Sequence, residues 1–229
     1  MKHGVDWSLY LVTDRALTKG RPLSRIVEEA VRGGVTVVQL REKDCPTREF
    51  ARLAEEMKAM LRGHGVPLII NDRVDVALAV GAEGVHIGRS DMPYADVRRL
   101  VGKKMLIGLS VETGAQADEA ESLDVSYLGV SPIFTTPTKA ELRTAWGIEG
   151  LRRLRARSRH KLVAIGGINE SNAADVIRAG ADGIAVVSAI CAADDPRQTA
   201  TRLRRKIEQA RKKLAISVSS LKTAKRHQG

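Results

Sequence analysis

The sequence predicts a single α/β domain built as a closed (β/α)8 barrel, the TIM-barrel architecture, and three observations lead to this fold class. Short runs of β-branched and aliphatic residues alternate with amphipathic stretches, which makes eight strand–helix units. The length of 229 residues suits one large α/β domain better than two small ones. The stretch from Ala79 to Val85 is echoed by that from Arg178 to Ile184. In each, a helix ends on glycine shortly before a buried strand.

The strands are predicted from apolar runs that end in polar residues. The first covers Ser8 to Thr13 and ends at Asp14-Arg15. The second, Val35 to Leu40, is rich in β-branched residues, which favour extended structure. The remaining strands show the same pattern and are predicted to begin near residues 67, 84, 105, 125, 162 and 183.

The helices are predicted from apolar residues that recur at a spacing of three or four. Pro22 opens the first, in which Leu23, Ile26 and Val27 share one face, and Gly33 ends it. The other predicted helices are Thr47–Leu61, Val74–Val80, Pro93–Leu100, Thr113–Leu123, Ile148–Ala156, Asn169–Ala179 and a last one opened by Asp194-Asp195-Pro196.

A doubly wound open sheet is the alternative architecture. Such a sheet usually has fewer strands, and often carries a glycine-rich loop after the first of them. Here the first strand is followed by Asp14-Arg15-Ala16, which is not such a loop. The closed barrel is therefore the preferred prediction.

The formal net charge of +11 is concentrated at the C-terminus, where residues 202–229 hold ten Lys or Arg residues and one acidic residue, Glu208. We therefore predict a barrel catalytic domain over residues 1–210 and a flexible basic tail over residues 211–229. Such a tail could bind nucleic acid or anionic lipid, but a solvated tail is preferred. Aromatic residues make up only 3% of the chain, so stacking platforms for nucleic acid are scarce.

Three features predict a cytoplasmic protein that does not bind membranes. Cys45 and Cys191 are the only cysteines, too few for a disulfide framework, and both are expected to be reduced thiols. No apolar run approaches the roughly 20 residues that a membrane span requires. The first seven residues show no signal-peptide pattern.

Polar residues follow the second strand at every other position. Gln39, Arg41 and Lys43 would share one face of an extended chain, whereas Glu42 would point the other way and is expected to be structural. An arginine fork and a lysine that converge at a strand end suit a phosphate or diphosphate. The alternative is an ordinary polar strand end with solvated charges.

Two carboxylates follow neighbouring strands, where the C-terminal ends of barrel strands carry functional groups. Asp72 follows the third strand and Asp91 the fourth, so the two could converge on Mg²⁺. The alternative is a helix cap for Asp72 and a turn or cap for Asp91. Asn71 could supply a neutral amide contact or be a turn residue.

A second anion site is predicted after strands seven and eight. Gly166-Gly167 lets backbone amides approach a phosphate, and Val187-Ser188 ends the next strand. The long loop from Ser131 to Ala145 adds hydroxyls and a cation that could close over a ligand. Ser110 ends strand five, and His86 is interpreted as a packed or hydrogen-bonded structural histidine. No zinc-type Cys/His spacing is present. Two anion sites across one barrel mouth indicate group transfer.

Seven motifs, in order, closely resemble those of the thiamine phosphate synthase family, over about Leu9 to Ile207. They are Val37-Val-Gln-Leu-Arg-Glu-Lys43, Ile70-Asn-Asp-Arg-Val-Asp75, Gly84-Val-His-Ile-Gly88 with Ser90-Asp-Met-Pro93, Ile107-Gly-Leu-Ser110, Pro132-Ile-Phe-Thr-Thr-Pro-Thr-Lys139, Val163-Ala-Ile-Gly-Gly-Ile168 and Gly180-Ala-Asp-Gly-Ile-Ala-Val-Val-Ser188.

The resemblance implies a (β/α)8 transferase that joins 4-amino-2-methyl-5-hydroxymethylpyrimidine diphosphate to a thiazole phosphate, or its carboxylated form, with Mg²⁺ as cofactor. It implies that Asp72 and Asp91 hold Mg²⁺, and that Arg41, Lys43, Lys139 and Ser110 are catalytic. The substrate-binding residues it implies are Gln39, Leu40, Arg41, Glu42, Lys43, Asn71, Ser110, Thr136, Pro137, Thr138, Lys139, Gly167, Val187 and Ser188. A homo-oligomer is compatible with this prediction.

Two other functions are weighed against the synthase. A thiazole tautomerase would have the same barrel and the same thiazole-phosphate site, but usually lacks the full diphosphate apparatus that this sequence contains. A non-catalytic phosphate- or nucleic-acid-binding protein is a more remote alternative. One departure from the family pattern is Ser131, where many relatives have glycine before the proline.

Overall fold

Eight parallel strands close into a barrel, as the sequence predicts. The computed structural model describes residues 4–135 and 145–226, with side chains up to residue 216. Each strand pairs with the next in sequence, and the eighth pairs with the first. Every strand begins within two residues of its predicted start. The strands are β1 Leu9–Val12, β2 Val37–Leu40, β3 Leu68–Asn71, β4 Gly84–Ile87, β5 Leu106–Val111, β6 Tyr127–Val130, β7 Leu162–Ile165 and β8 Gly183–Val186.

Helices follow the strands and surround the barrel. They are α1 Leu23–Arg32, α2 Thr47–Arg62, α3 Val74–Val80, α4 Tyr94–Val101, α5 Gly114–Ala120, α6 Gly147–Arg157, α7 Ala173–Arg178, α8 Ser188–Cys191 and α9 Pro196–Arg226. Two elements were not predicted: the short helix α8 and a 3-10 helix over Arg15–Thr18. Both follow strands that end at the barrel mouth.

The alternation of side chains along each strand divides the core into two layers. Outward residues such as Leu11, Val38 and Ile70 pack against the helices. Inward residues form a separate cluster inside the barrel, where the rings of Trp7 and Tyr127 lie with centroids 4.5 Å apart. This inner layer fills the barrel beneath the mouth, so a ligand can be held only at the strand ends.

The last helix crosses the predicted boundary at residue 210 without interruption. Arg211 belongs to the barrel, because its guanidinium donates to Ser8 Oγ at 2.5 Å and to the carbonyl of Asp182. Tertiary contacts thus extend past Ala210, the last buried apolar residue among the described side chains of this helix, into the segment predicted as a tail. The flexibility of that tail stays a prediction. Leu214 and Ile216 are exposed. Within the described part of the chain, no helix is long and apolar enough to cross a membrane.

A chain that ends at Ile216 is expected to keep the thermal stability of the full chain, whereas a chain that ends at Ala210 is expected to melt earlier. The second truncation removes the Arg211 hydrogen bonds, which contribute about 1–3 kcal/mol to the free energy of unfolding. In a chain of this size each kcal/mol corresponds to roughly 2–4 °C in Tm. Thermal unfolding of both truncations checks this. The full-length Arg211→Gln variant is the control, and it should reproduce most of the loss. Equal melting of the two truncations would contradict the assignment.

Candidate active site

The second strand directs alternate residues to opposite sides of the barrel wall. Gln39 points inward, is almost fully buried, and its amide Nε2 donates to Tyr10 Oη at 3.0 Å. Leu40 points outward and is buried between strand and helices. Glu42 pairs with Arg15 at 3.1 Å. Glu42 also lines a cavity beyond the end of β2, whereas the Leu40 side chain packs in the outer core. The substrate contacts implied for these two residues stay predictions. For Glu42, the structural role expected from strand alternation is observed.

Arg41 and Lys43 line an open cavity of about 450 Å³ beyond the end of β2. Thr13 Oγ1 accepts from the Arg41 backbone N–H at 3.0 Å, which ties the β2 end to the β1 end. The Asp14 carboxylate lies 3.9 Å from the Arg41 guanidinium and lines the same cavity. Sequence reasoning gave Asp14 no role in the site. Its position directly after the first strand, where the other candidates follow theirs, is the signal that could have found it.

Asp72 lies in a strained turn directly after β3. Its φ of 62° is in the left-handed region, which Asp and Asn tolerate better than most residues. The turn is held by the Asp72 N–H, which donates to the His86 carbonyl at 2.8 Å. The next helix, α3, has no side-chain cap, so the helix-cap alternative for Asp72 is not observed. One oxygen of Asp91 accepts from the Gly88 N–H at 2.7 Å, as the turn alternative predicted.

The carboxyl groups of Asp72 and Asp91 lie within hydrogen-bonding distance of each other. Burial, followed by the hydrogen bond and charge of Asp91, raises the pKa of Asp72 to about 6 against the opposing effects of Lys43 and Asn71. The structure thus brings Lys43, Asn71 and both aspartates together, as predicted from their strand ends. No group of three or more potential metal-ligating side chains is found among the described residues. A cation here would have two protein carboxylates.

The Asp72 contribution to stability is expected to fall as pH rises in protein without Mg²⁺. The pKa of Asp72 is raised from its ordinary value of 3.8 to about 6, so this contribution is full below pH 4 and is lost as pH rises through 6. A bound cation would replace the proton. Mg²⁺ should therefore raise the Tm of the wild type more at pH 7.5 than at pH 5, and hardly change that of Asp72→Asn. An equal Mg²⁺ shift in both proteins would contradict this.

The Ser110 hydroxyl lies at the top of a buried polar cluster inside the barrel. Its Oγ is 2.8 Å from Nε2 of His86, whose Nδ1 is 2.9 Å from Tyr127 Oη. His86 is buried and hydrogen-bonded, which agrees with its structural interpretation. Sequence reasoning missed Tyr127 and Tyr10, whose hydroxyls lie 2.6 Å apart. Each sits in an ordinary apolar strand, so only pairing across the barrel reveals them.

The predicted phosphate site lies between the ends of β7 and β8. Gly166 and Gly167 have φ values of 104° and 66°, and a Cβ at Gly166 would lie 2.8 Å from Pro132 Cβ. Only glycine fits this turn without strain. Val187 and Ser188 were predicted to end strand eight, but β8 ends at residue 186 and Ser188 begins α8. This correction places a short helix beside the glycine turn, as in many phosphate-binding barrels.

Four predicted residues, Thr136, Pro137, Thr138 and Lys139, lie outside the described residues. The first described end of their loop contacts the β7 end, where Phe134 N–H donates to the Gly166 carbonyl at 3.1 Å. Trp146 N–H, at the second described end, donates to the Pro132 carbonyl at 2.9 Å and so joins the two ends. The roles implied for these four residues stay predictions.

Cys45 lines the cavity beside Arg41 and Lys43, whereas Cys191 and a second cavity lie away from this cluster of strand-end groups. Cys45 and Cys191 are free thiols. Burial raises the pKa of both, with that of Cys191 reaching about 11, so neither is poised as a thiolate. A cavity of about 240 Å³ lies between α7 and α9 and contains none of the predicted site residues. The barrel mouth is the only one of these places where the predicted residues gather.

Comparison with known proteins identifies the relatives of this chain. A family model described as "Thiamine monophosphate synthase" matches residues 9–190. The thiamine-phosphate synthase of Albidiferax ferrireducens is 56% identical over 87% of this chain and 91% of its own. That of Chloroflexus aurantiacus is 54% identical over 88% of this chain and 93% of its own. The solved structure of thiamine phosphate pyrophosphorylase from Pyrococcus furiosus has a TM-score of 0.83 and 38% identity, and the match covers 90% of this chain and 98% of that one.

Proposed function

This chain belongs to the thiamine monophosphate synthase family, and on that premise we propose that its barrel mouth joins a pyrimidine diphosphate to a thiazole phosphate. The enzyme is a transferase that forms thiamine phosphate. One observation carries the assignment of the site. Two basic side chains line a cavity beyond β2, and Lys43 lies close enough to the carboxyl pair that follows β3 and β4 to act on its charge, an arrangement that suits a metal-bound diphosphate.

The diphosphate of the pyrimidine substrate is assigned to Arg41, Lys43 and the loop residue Lys139. The Arg41 fork and the Lys43 ammonium line the cavity and can neutralise the leaving group. Asn71 stands beside them, where its amide also contacts Asp72. Gln39 and Ser110 open toward the same mouth and are assigned to the pyrimidine ring.

The magnesium ion is assigned to Asp72 and Asp91. Their carboxyl groups share a hydrogen bond in a partly buried site, and the resulting rise in the pKa of Asp72 means that two negative charges are poorly compensated there. This donor set fits Mg²⁺, which usually takes one or two carboxylates and completes its shell with water and phosphate oxygens. When bound, the ion would offset the negative charge of the departing diphosphate.

The proposed reaction exchanges one bond for another at the pyrimidinylmethyl carbon. The bond from this carbon to the diphosphate oxygen breaks, and the diphosphate leaves with the electron pair. The thiazole nitrogen then donates its lone pair to the stabilised carbocation, forming the new C–N bond. The protein has to hold the leaving group and align the nucleophile. No general base is needed, which agrees with the neutral, buried His86.

The thiazole phosphate is assigned to the site between β7 and β8. Gly167 and Ser188 place backbone N–H groups and one hydroxyl beside it, with Val187 between them and Thr136 and Thr138 from the loop. The first described end of that loop lies against the glycine turn, through the Phe134 N–H and the Gly166 carbonyl. The thiazole tautomerase alternative would use this site without the diphosphate pocket. Arg41 and Lys43 line a cavity beyond β2, and the two aspartates follow the neighbouring strands β3 and β4. These four residues favour the synthase.

The decisive assay supplies both phosphorylated substrates and Mg²⁺ and measures thiamine phosphate and released diphosphate. We expect both products in equal amounts and their loss on chelation of Mg²⁺. Conversion of the thiazole alone, with no thiamine phosphate, would favour the tautomerase. Binding without turnover would favour a non-catalytic phosphate-binding protein. We further propose that the enzyme acts in the cytoplasm, as its free thiols support. The homo-oligomer stays a prediction.

A further inference from the structure

A chain of four hydrogen bonds crosses the barrel interior from β2 to β5. Gln39 Nε2 is 3.0 Å from Tyr10 Oη, and Tyr10 Oη is 2.6 Å from Tyr127 Oη. Tyr127 Oη is 2.9 Å from His86 Nδ1, and His86 Nε2 is 2.8 Å from Ser110 Oγ. The two ends of this relay, Gln39 and Ser110, are both assigned to the pyrimidine substrate.

The three middle members of the relay are buried and uncharged. Tyr10 and Tyr127 are each about 1% exposed, and burial raises the pKa of both phenols, so both stay protonated. Burial lowers the pKa of His86 to about 4, against the opposing charge of Asp91, so its imidazole is neutral at pH 7. A neutral imidazole has one N–H donor and one acceptor nitrogen, and a phenol has one hydrogen to donate.

These hydrogens can be arranged in only one direction once the Gln39 amide donates to Tyr10. The single hydrogen of Tyr10 then goes to Tyr127, the one other polar atom that its hydroxyl contacts among the described residues. Tyr127 must donate to His86 Nδ1, so His86 carries its hydrogen on Nε2 and donates to Ser110. Any reversal within the chain leaves a buried hydroxyl without an acceptor, which is unfavourable.

Tight packing holds the members of the relay in place. A Cβ at Gly108 would lie 2.5 Å from His86 Nδ1, and one at Gly129 would lie 3.0 Å from His86 Cε1. The rings of His86 and Tyr127 stack with centroids 5.5 Å apart. The two glycines therefore make room for a ring pair that has no space to rearrange.

We propose that Tyr10, Tyr127 and His86 are positioning residues that transmit one donor-to-acceptor direction from Gln39 to Ser110. Gln39 thereby presents its amide oxygen, an acceptor, to the pyrimidine, and Ser110 presents its hydroxyl hydrogen, a donor. This inference rests on the proposed function for the identity of the ligand. An aminopyrimidine offers the matching groups, an amino donor and a ring-nitrogen acceptor. A pyrimidinone offers a carbonyl acceptor and a ring N–H in place of these.

The tautomer of His86 tests this direction without any substrate. Two-bond ¹H–¹⁵N correlation spectra of protein labelled with [¹⁵N]histidine distinguish hydrogen on Nε2 from hydrogen on Nδ1. The His86→Gln variant identifies the His86 signals among the five histidines. We expect the Nε2–H tautomer in the wild type. The Nδ1–H tautomer would overturn the proposal.

Gln39→Glu tests whether the far end of the chain sets the direction. At pH 8.5 a glutamate can only accept, so Tyr10 must donate to it, and every hydrogen in the relay should reverse. We expect His86 to switch to the Nδ1–H tautomer. In the matched double variant Tyr127→Phe/Gln39→Glu the link to His86 is cut, and His86 should stay as Nε2–H, because Nδ1 then has no buried acceptor for a hydrogen. An unchanged tautomer in Gln39→Glu, or a switch in the double variant, would overturn the proposal.

Tyr127→Phe supplies a kinetic test that does not depend on Gln39→Glu folding. The KM for the pyrimidine diphosphate should rise about 3–10-fold, the equivalent of one hydrogen bond, while the KM for the thiazole phosphate stays unchanged. The matched control is Tyr94→Phe, which removes a surface phenol that accepts from the Asp124 N–H at 3.1 Å. Equal effects on both KM values would refute the positioning role. A confirmed tautomer switch in an enzyme that forms no thiamine phosphate would refute only the proposed function.

Discussion

Asp72→Asn is expected to lower Mg²⁺-dependent turnover on the order of 100-fold or more while leaving the barrel folded. The change removes one of two carboxylates assigned to the ion, and each tenfold loss of rate corresponds to about 1.4 kcal/mol of transition-state stabilisation. Asparagine tolerates the left-handed backbone at this position, where φ is 62°, so the turn after β3 should survive. Steady-state kinetics across a Mg²⁺ titration measure the loss.

The control for this variant is Asp75→Asn, three residues further along the chain. Asp75 pairs with Arg73 at 2.5 Å on the surface and does not face the cavity. Exposed pairs contribute about 0–1 kcal/mol, so this change should leave turnover within about twofold of the wild type. Without Mg²⁺, Asp72→Asn should melt at or above the wild-type temperature at pH 7.5, because a poorly compensated carboxylate is gone. Full activity of Asp72→Asn would refute the ligand role.

Gly108→Ala is expected to lower the stability of the protein markedly, because it overpacks the barrel interior around two buried rings. The new Cβ would lie 2.2 Å from Tyr127 Cζ and 2.5 Å from His86 Nδ1, too close for either ring to remain in place. Both rings are held by hydrogen bonds on each side, so relief requires a shift of the strand. Overpacking of this kind lowers the free energy of unfolding by about 1–3 kcal/mol or more. Each kcal/mol lowers Tm by roughly 2–4 °C.

Gly63→Ala serves as the matched control. Gly63 follows α2 with a φ of −62°, and the nearest atom to a Cβ added at this position would be the Met60 carbonyl oxygen at 3.4 Å. An added methyl group meets only ordinary van der Waals contact there. The free energy of unfolding, obtained from thermal unfolding, should therefore change by no more than about 1 kcal/mol. Gly108→Ala with wild-type melting would show that the ring pair can move aside, and would weaken the packing argument for the relay.

The inner layer of the barrel therefore both packs the core and contacts the residues at the barrel mouth. Its lower part, around Trp7, packs as an apolar core. Its upper part carries hydroxyls and an imidazole that connect directly to Gln39 and Ser110 at the mouth. Substitutions that preserve volume but remove a hydroxyl should consequently alter substrate recognition before they alter the fold.

The sequence alone determined the order of elements and the place of the site. Apolar periodicity is a local property, so all eight strands and most helices were predicted, and strand ends identified Arg41, Lys43, Asn71, Asp72 and Asp91 as neighbours. The tertiary structure decided whether each side chain faces the inside or the outside of the barrel wall. It committed Leu40 to the outer packing, it added the short helix at Ser188, and it joined Arg211 to the barrel.

The buried relay can be recognised only in the structure of the closed barrel. Tyr10 and Tyr127 are 117 positions apart, and their hydroxyls meet because β1 and β6 face each other across the interior. No local pattern distinguishes a tyrosine that points into a barrel from one in any buried strand. Hydrogen-bond direction depends on every partner in the network, so it is a property of the assembled interior and not of any segment of the chain.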